Sequence, residues 1–170
     1  MQIGRFPNAF GDEKTEASRL DTFASLLTEG KTRFQILEDI QRRRWEKVVW
    51  NAAWNSITTL TMVDTQSWLH SSPDADPLTK RLMREVIDVG KRCGVSLDYG
   101  LIDKLIKQIN SMPGIGSSML TDCKNGRPLE IDVILAFPLQ KSREFGMETP
   151  VLDTIHALLR AVDLRLRTKL

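Results

Sequence analysis

The stretch from Arg44 to Asn55 constrains the fold most. Read as a helix, it carries Trp45, Val48, Val49, Trp50, Ala52, Ala53 and Trp54 on almost every side. A helix that is apolar all round belongs in a core. Yet Lys47, Asn51 and Asn55 recur at a spacing of four and therefore stack along one face. Buried polar groups need partners, and a buried ammonium needs one most. Two readings stand side by side. In one, the lysine snorkels to the surface and the asparagines bond neighbouring backbone. In the other, the stripe lines a cleft built for an oxygen-rich ligand.

The chain has 170 residues, enough for one domain with a sizeable core. Its net charge of +2 gives no electrostatic footprint for nucleic acid. No run of about 18 apolar residues suggests a membrane span. The N-terminal residues Met1-Gln2-Ile3-Gly4-Arg5 have no signal-peptide character. Cys93 and Cys123 lack metal-ligand spacing and read as free thiols of a reducing, cytoplasmic compartment.

In chain order, Met1 to Phe6 alternates apolar and polar residues and predicts a strand closed by Pro7 and Asn8, with Gly11 to Lys14 as loop. An amphipathic helix is expected over about Thr15 to Thr28, burying Ala17, Leu20, Phe23, Ala24 and Leu27 and ending at Gly30. A second short strand fits Thr32 to Ile36. The central helix spans Glu38 to Asn55, with Arg42-Arg43-Arg44 as a solvated face paired to Glu38 and Asp39. Ser56 to Met62 continues as a broken or second helix, and Ser71 to Pro77 is loop.

Further helices are expected at Leu78–Cys93, stopped by Gly94, and at Tyr99–Asn110. The Gly114-x-Gly116 pair follows a helix and has no third glycine, so it is no dinucleotide fingerprint. A short helix opens at Ser117 or Ser118, either of which suits its N-cap. Pro128 suits the first turn of the next helix, with a first-turn Glu130 and a kink at Pro138 before Phe145. Thr149 and Pro150 start a last helix that buries Leu152, Ile155, Leu158, Leu159 and Val162. His70 and His156 have no sequence partners for a triad or metal site and read as structural or surface residues.

Three blocks together resemble the C-terminal domain of ketopantoate reductases (2-dehydropantoate 2-reductases). The first is Trp45, Lys47, Asn51 and Asn55 followed by Thr58-Thr59-Leu60-Thr61. The second is Ser117-Ser118-Met119-Leu120, Asp122, Gly126-Arg127 and Glu130-Ile131-Asp132. The third is Gly146 with Thr149-Pro150.

The resemblance implies a mainly α fold. About seven helices would form a single bundle of the 6-phosphogluconate dehydrogenase C-terminal-like type, with one or two short strands left from a Rossmann domain. It implies that residues 1–36 belong to the edge of a nucleotide-binding domain and its linker, and residues 37–170 to the helical substrate domain. The chain would then be part of a longer protein. The cofactor, NADPH, would be bound mainly by the other domain, and the substrate would be a small 2-oxo acid, with a homodimer possible for the family. By resemblance Lys47 is the general acid. Asn51 and Asn55 bond substrate oxygens, and Ser118 holds the substrate carboxylate. Glu130 bonds the substrate hydroxyl or pairs with Lys47. One departure stands out: after Glu130-Ile131-Asp132 the family usually has a glycine, where this chain reads Leu135-Ala136-Phe137-Pro138. That puts the substrate in question more than the reaction. A non-catalytic helical module, used for dimerisation or left by degeneration, remains the reading from a different class.

Overall fold

The computed structural model describes residues 1–6 and 12–168. These fall into two compact units, Met1–Arg44 and Trp45–Leu170. The expected turn at Pro7 and Asn8 and the start of the loop at Gly11 lie outside the described residues.

In the first unit, β1 (Gln2–Ile3) and β2 (Gln35–Ile36) pair in parallel, Gln2 against Gln35 and Ile3 against Ile36. Both strands are shorter than the expected spans. Between them runs α1 (Glu13–Glu29), so the order is strand, helix, parallel strand. Asp12 caps α1 by accepting the Thr15 N–H, which moves its start ahead of Thr15 and takes Lys14 out of the loop. Gly30 closes it, as expected. The expected burial does not occur: no residue of α1 is buried, and Phe23 and Leu26 are exposed. Ala17, Leu20, Ala24 and Leu27 of the expected stripe are only half-buried.

The long helix α2 (Ile40–Thr61) passes from the first unit into the second. The Asp39 carboxylate accepts the Arg42 N–H at 2.9 Å and starts it. It runs unbroken through Ser56 and stops at Met62, whose backbone is left-handed (φ 60°). A left-handed residue ends a helix whatever its side chain, and without a glycine there the stop is not visible in the sequence.

The second unit adds α3 (Thr65–Leu69), α4 (Ala75–Arg92), α5 (Gly100–Asn110), α6 (Ser118–Lys124), a π-helical turn (Asp132–Ala136), α7 (Phe137–Glu144) and α8 (Pro150–Thr168). The structure is mainly helical with two short strands, as expected. α4 packs against α3, α5, α7 and α8, and Leu82, Ile109, Leu135, Leu152 and Leu159 are fully enclosed between them. α4 begins at Ala75 and not at Leu78, because Pro77 falls in the first turn, where its missing N–H costs nothing. Gly90, inside α4, has a packing reason. A Cβ there would lie 2.7 Å from Leu97 Cδ1 and 3.0 Å from the Trp45 ring. The glycine lets the Trp45 indole seat directly on α4.

Two helix expectations need correction. Pro128 precedes the regular structure, whose helical hydrogen bonding starts only at Ile131. Around Pro138 the chain switches to π geometry over the preceding turn. Proline removes one N–H and crowds the carbonyl four residues back, and a wider turn relieves both. In α8, Leu158 is exposed and Val162 only half-buried. The buried stripe instead runs Leu152, Ile155, Leu159, Asp163 and so ends on a carboxylate beside the expected Val162.

Candidate functional site

α2 presents Lys47, Asn51 and Asn55 along one face, and Thr58 continues the same stripe one turn on. Burial deepens along it. Lys47 is exposed, Asn51 is half-buried and Asn55 is 6% exposed. Lys47 thus does not lie in a core; α2 is continuously buried only from Ala52 to Thr59. The lysine reaches solvent, as the first of the two readings expects, while Asn51 is half-buried and Asn55 buried.

Thr58 ties this face to the second motif. Its hydroxyl donates to the Trp54 carbonyl at 2.6 Å and lies 2.7 Å from Ser117 Oγ. Thr58 thus shares its single hydroxyl proton between the Trp54 carbonyl and Ser117 Oγ, both of which accept. Ser117 Oγ also accepts the Leu120 N–H at 3.0 Å, so Ser117 is the N-cap of α6. This resolves which serine caps. Ser118 becomes the first helical residue and is exposed beside the capped turn.

The loop before α6 is pinned from the other side by α3, which the sequence reading missed. Thr65 N–H donates to the Ile115 carbonyl at 3.1 Å, and Ile115 N–H to Thr65 Oγ1 at 3.3 Å. Gln66 Nε2 donates to the carbonyls of Ile109 and Met112 at 2.7 and 3.1 Å. Asp64 caps α3, accepting from Gln66 and Ser67 N–H, both at 2.9 Å. The Ser67 backbone and hydroxyl bonds hold its carboxyl below the usual carboxylate range. A signal was available: an Asp cap followed by Trp68 and Leu69 marks a short amphipathic turn.

Glu130 lies between α6 and the π turn and is exposed. Its neighbours Leu129 and Ile131 are buried, which anchors the backbone on both sides of it. The structure therefore places three of the five predicted residues on one helix face and joins the start of α6, with Ser118, to that face through Thr58 and Ser117. Glu130 sits on a separate segment.

No group of three or more His, Cys, Asp or Glu able to hold a metal occurs among the described residues. The Gly114-x-Gly116 loop does not fit a cofactor pyrophosphate. A Cβ at Gly114 would lie 2.4 Å from Asp64 Oδ1, so the loop is packed on a carboxylate that would repel phosphate. Gly114 serves that close approach.

The pattern of the family described as ketopantoate reductase PanE/ApbA C terminal matches residues 39–163. The chain belongs to the ketopantoate reductase family. It is 30% identical over 134 residues to a 2-dehydropantoate 2-reductase of Nostoc, covering 79% of this chain and 42% of that protein. It superposes on the dimeric ketopantoate reductase of Staphylococcus aureus with a TM-score of 0.81 at 25% identity, covering 97% of this chain and 54% of the other. A D-mandelate dehydrogenase solved with NADH gives a TM-score of 0.82 at 22% identity, covering 97% of this chain and 54% of that one, a likeness of fold alone. The chain thus spans about half the length of the family members it matches. No described helix is long and apolar enough to cross a membrane.

Proposed function

We propose that this chain is the substrate-handling part of an NADPH-dependent 2-dehydropantoate 2-reductase, which converts ketopantoate to pantoate on the way to pantothenate and coenzyme A. The observation that supports it most is the α2 stripe Lys47, Asn51, Asn55, Thr58 and its hydrogen bond to the start of α6. A cation, two carboxamides and a serine hydroxyl brought toward one face suit a small acid that carries keto and hydroxyl oxygens.

In this reading the nicotinamide cofactor, held mainly by a nucleotide-binding domain to which residues 1–36 belong, supplies the hydride. The chain's own residues do the rest. Hydride addition to the keto carbon turns the carbonyl oxygen into an alkoxide, and the Lys47 ammonium gives it a proton. Lys47 is exposed on this chain, so it can regain that proton from water. Asn51 and Asn55, one and two turns further on, donate to the keto and hydroxyl oxygens and orient the ketone. Ser118 bonds the carboxylate. Glu130 accepts from the substrate hydroxyl or pairs with Lys47. The cytoplasm, with its reduced thiols, suits the unbridged Cys93 and Cys123, and a homodimer suits the family.

A specific feature favours a second substrate within the same chemistry. Ala136-Phe137-Pro138 replaces the usual glycine, and the turn ending at Ala136 is π-helical. Such turns re-aim side chains and are frequent at functional sites. A reductase of another 2-oxo acid is therefore the second reading.

The test is NADPH oxidation by a protein joining this chain to a nucleotide-binding domain, with ketopantoate and with other branched 2-oxo acids. Turnover with one of them is expected. Absence of turnover with every 2-oxo acid would overturn the reductase reading.

A further inference from the structure

The backbone of Glu130 joins the following turn only through its carbonyl, which accepts the Ile134 N–H at 3.3 Å. It follows Pro128 and precedes the π turn, and the grip on it comes from α8. Asp163 lies on the core face of that helix and is 4% exposed. Its Oδ1 accepts the Leu129 N–H at 3.0 Å, and its Oδ2 takes Arg167 Nε at 2.6 Å. One turn earlier, Arg160 forms an ion pair with Asp132. Two contacts from one helix thus hold the residues before and after Glu130 and Ile131.

A carboxylate at a core position needs a reason, since burying a charge is costly. The preceding residues of the stripe, Leu152, Ile155 and Leu159, show that an apolar side chain would suit the packing. What Asp163 adds is an acceptor for a buried N–H that no helix or strand satisfies. Arg167 leaves this carboxylate with a counter-charge at the rim. Burial works to raise the Asp163 carboxyl. The Leu129 N–H and Arg167 outweigh it and hold the group ionised, below its usual range.

We propose that Asp163 is a positioning residue for the reaction: by holding the Leu129 N–H, it fixes the backbone from which Glu130 reaches the substrate, with Arg160 and Asp132 steadying the far side. The proposal rests on the reading of Glu130 as a substrate-facing group.

The experiment is a double-mutant cycle in a protein joining this chain to a nucleotide-binding domain, with steady-state kinetics on its best 2-oxo acid. Asp163→Ala is expected to lower kcat/KM by about 10-fold or more, since small misplacements near a reacting group are costly. KM for NADPH should stay within about two-fold, because in this reading the cofactor is held mainly by the nucleotide-binding domain. Asp163→Asn keeps an oxygen acceptor and should recover most of the rate. In the Glu130→Gln background, Asp163→Ala should add nothing. Losses that add in full, or Asn and Ala variants equally impaired, would overturn the proposal while leaving Glu130 in place. A Glu130→Gln enzyme with unchanged kcat/KM would instead remove Glu130 from the site, and the proposal with it. Should Asp163→Ala not fold, Arg160→Gln enters the same cycle: a loss present with Glu130 and absent without it supports the clamp, and an additive loss overturns it.

Discussion

Thr58 and Ser117 stand 59 positions apart in the chain, and their hydroxyl oxygens lie 2.7 Å apart. Through that bond the polar face of α2 meets the start of α6. Neither residue is among the five first singled out for chemistry, yet together they carry Ser118 to the stripe of Lys47, Asn51 and Asn55. A threonine committed to its own helix carbonyl and a serine committed to capping leave little freedom in the joint.

That joint is testable by stability. Ser117→Ala removes both the N-cap acceptor for Leu120 and the partner of Thr58. A cost of about 1–2 kcal/mol is expected in chemical denaturation, the usual range for a lost cap. Ser118→Ala, at an exposed first-turn position, should change stability by less than about 0.5 kcal/mol. Equal losses for the two would contradict the assignment of Ser117 as the cap.

Lys47→Ala separates chemistry from packing. If Lys47 protonates the alkoxide, kcat should fall by about 10²–10⁴-fold, the range for a positioned general acid. NADPH binding should hardly change. Because Lys47 is exposed, the melting temperature should also hold. Asn55 is 6% exposed, so Asn55→Ala should raise KM and lower the melting temperature together. A Lys47→Ala enzyme within a few-fold of wild-type kcat would exclude it from the proton step.

Gly90→Ala would normally help a helix by about 1 kcal/mol. Here the new methyl would meet Leu97 Cδ1 at 2.7 Å and the Trp45 ring at 3.0 Å. Leu97 can turn aside, but the indole cannot move far inside the core. Net destabilisation of about 1–3 kcal/mol is expected, with altered Trp fluorescence. A stabilised variant would show that Trp45 is not seated there.

Stability should fall in acid through Asp163. Its folded-state carboxyl lies below the ordinary value of 3.8, so the unfolded chain binds the proton more readily. The contribution is therefore complete above that value and is lost as pH falls through and below it. Asp163→Asn should flatten this limb of the stability curve when urea midpoints are compared from pH 6 downward. An unchanged acid limb would mean that other carboxylates set it.

The sequence alone determined the helical class and several boundaries, because the signals were local. Leu101, Ile102, Leu105, Ile106 and Ile109 recur at helical spacing and are all buried on α5. Gly94 and Gly146 stand with positive φ just beyond the helix stops, where only glycine is free of strain. The four-residue spacing of Lys47, Asn51 and Asn55 likewise puts them on one face of a helix. What the sequence could not decide was what each face meets. Glu85 is charged and sits among Leu82, Val86 and Val89, yet it is buried, accepting the Val151 and Leu152 N–H groups at 3.2 and 2.8 Å and so satisfying the start of α8. Phe23 fits a core stripe and is exposed. Asp163 holds an amide 34 positions away. Periodicity assigns a residue to a face, whereas burial and partners depend on chain segments distant in sequence. Only the tertiary structure could therefore show that Lys47 reaches solvent, that Ser117 is the cap and that α8 holds the backbone around Glu130.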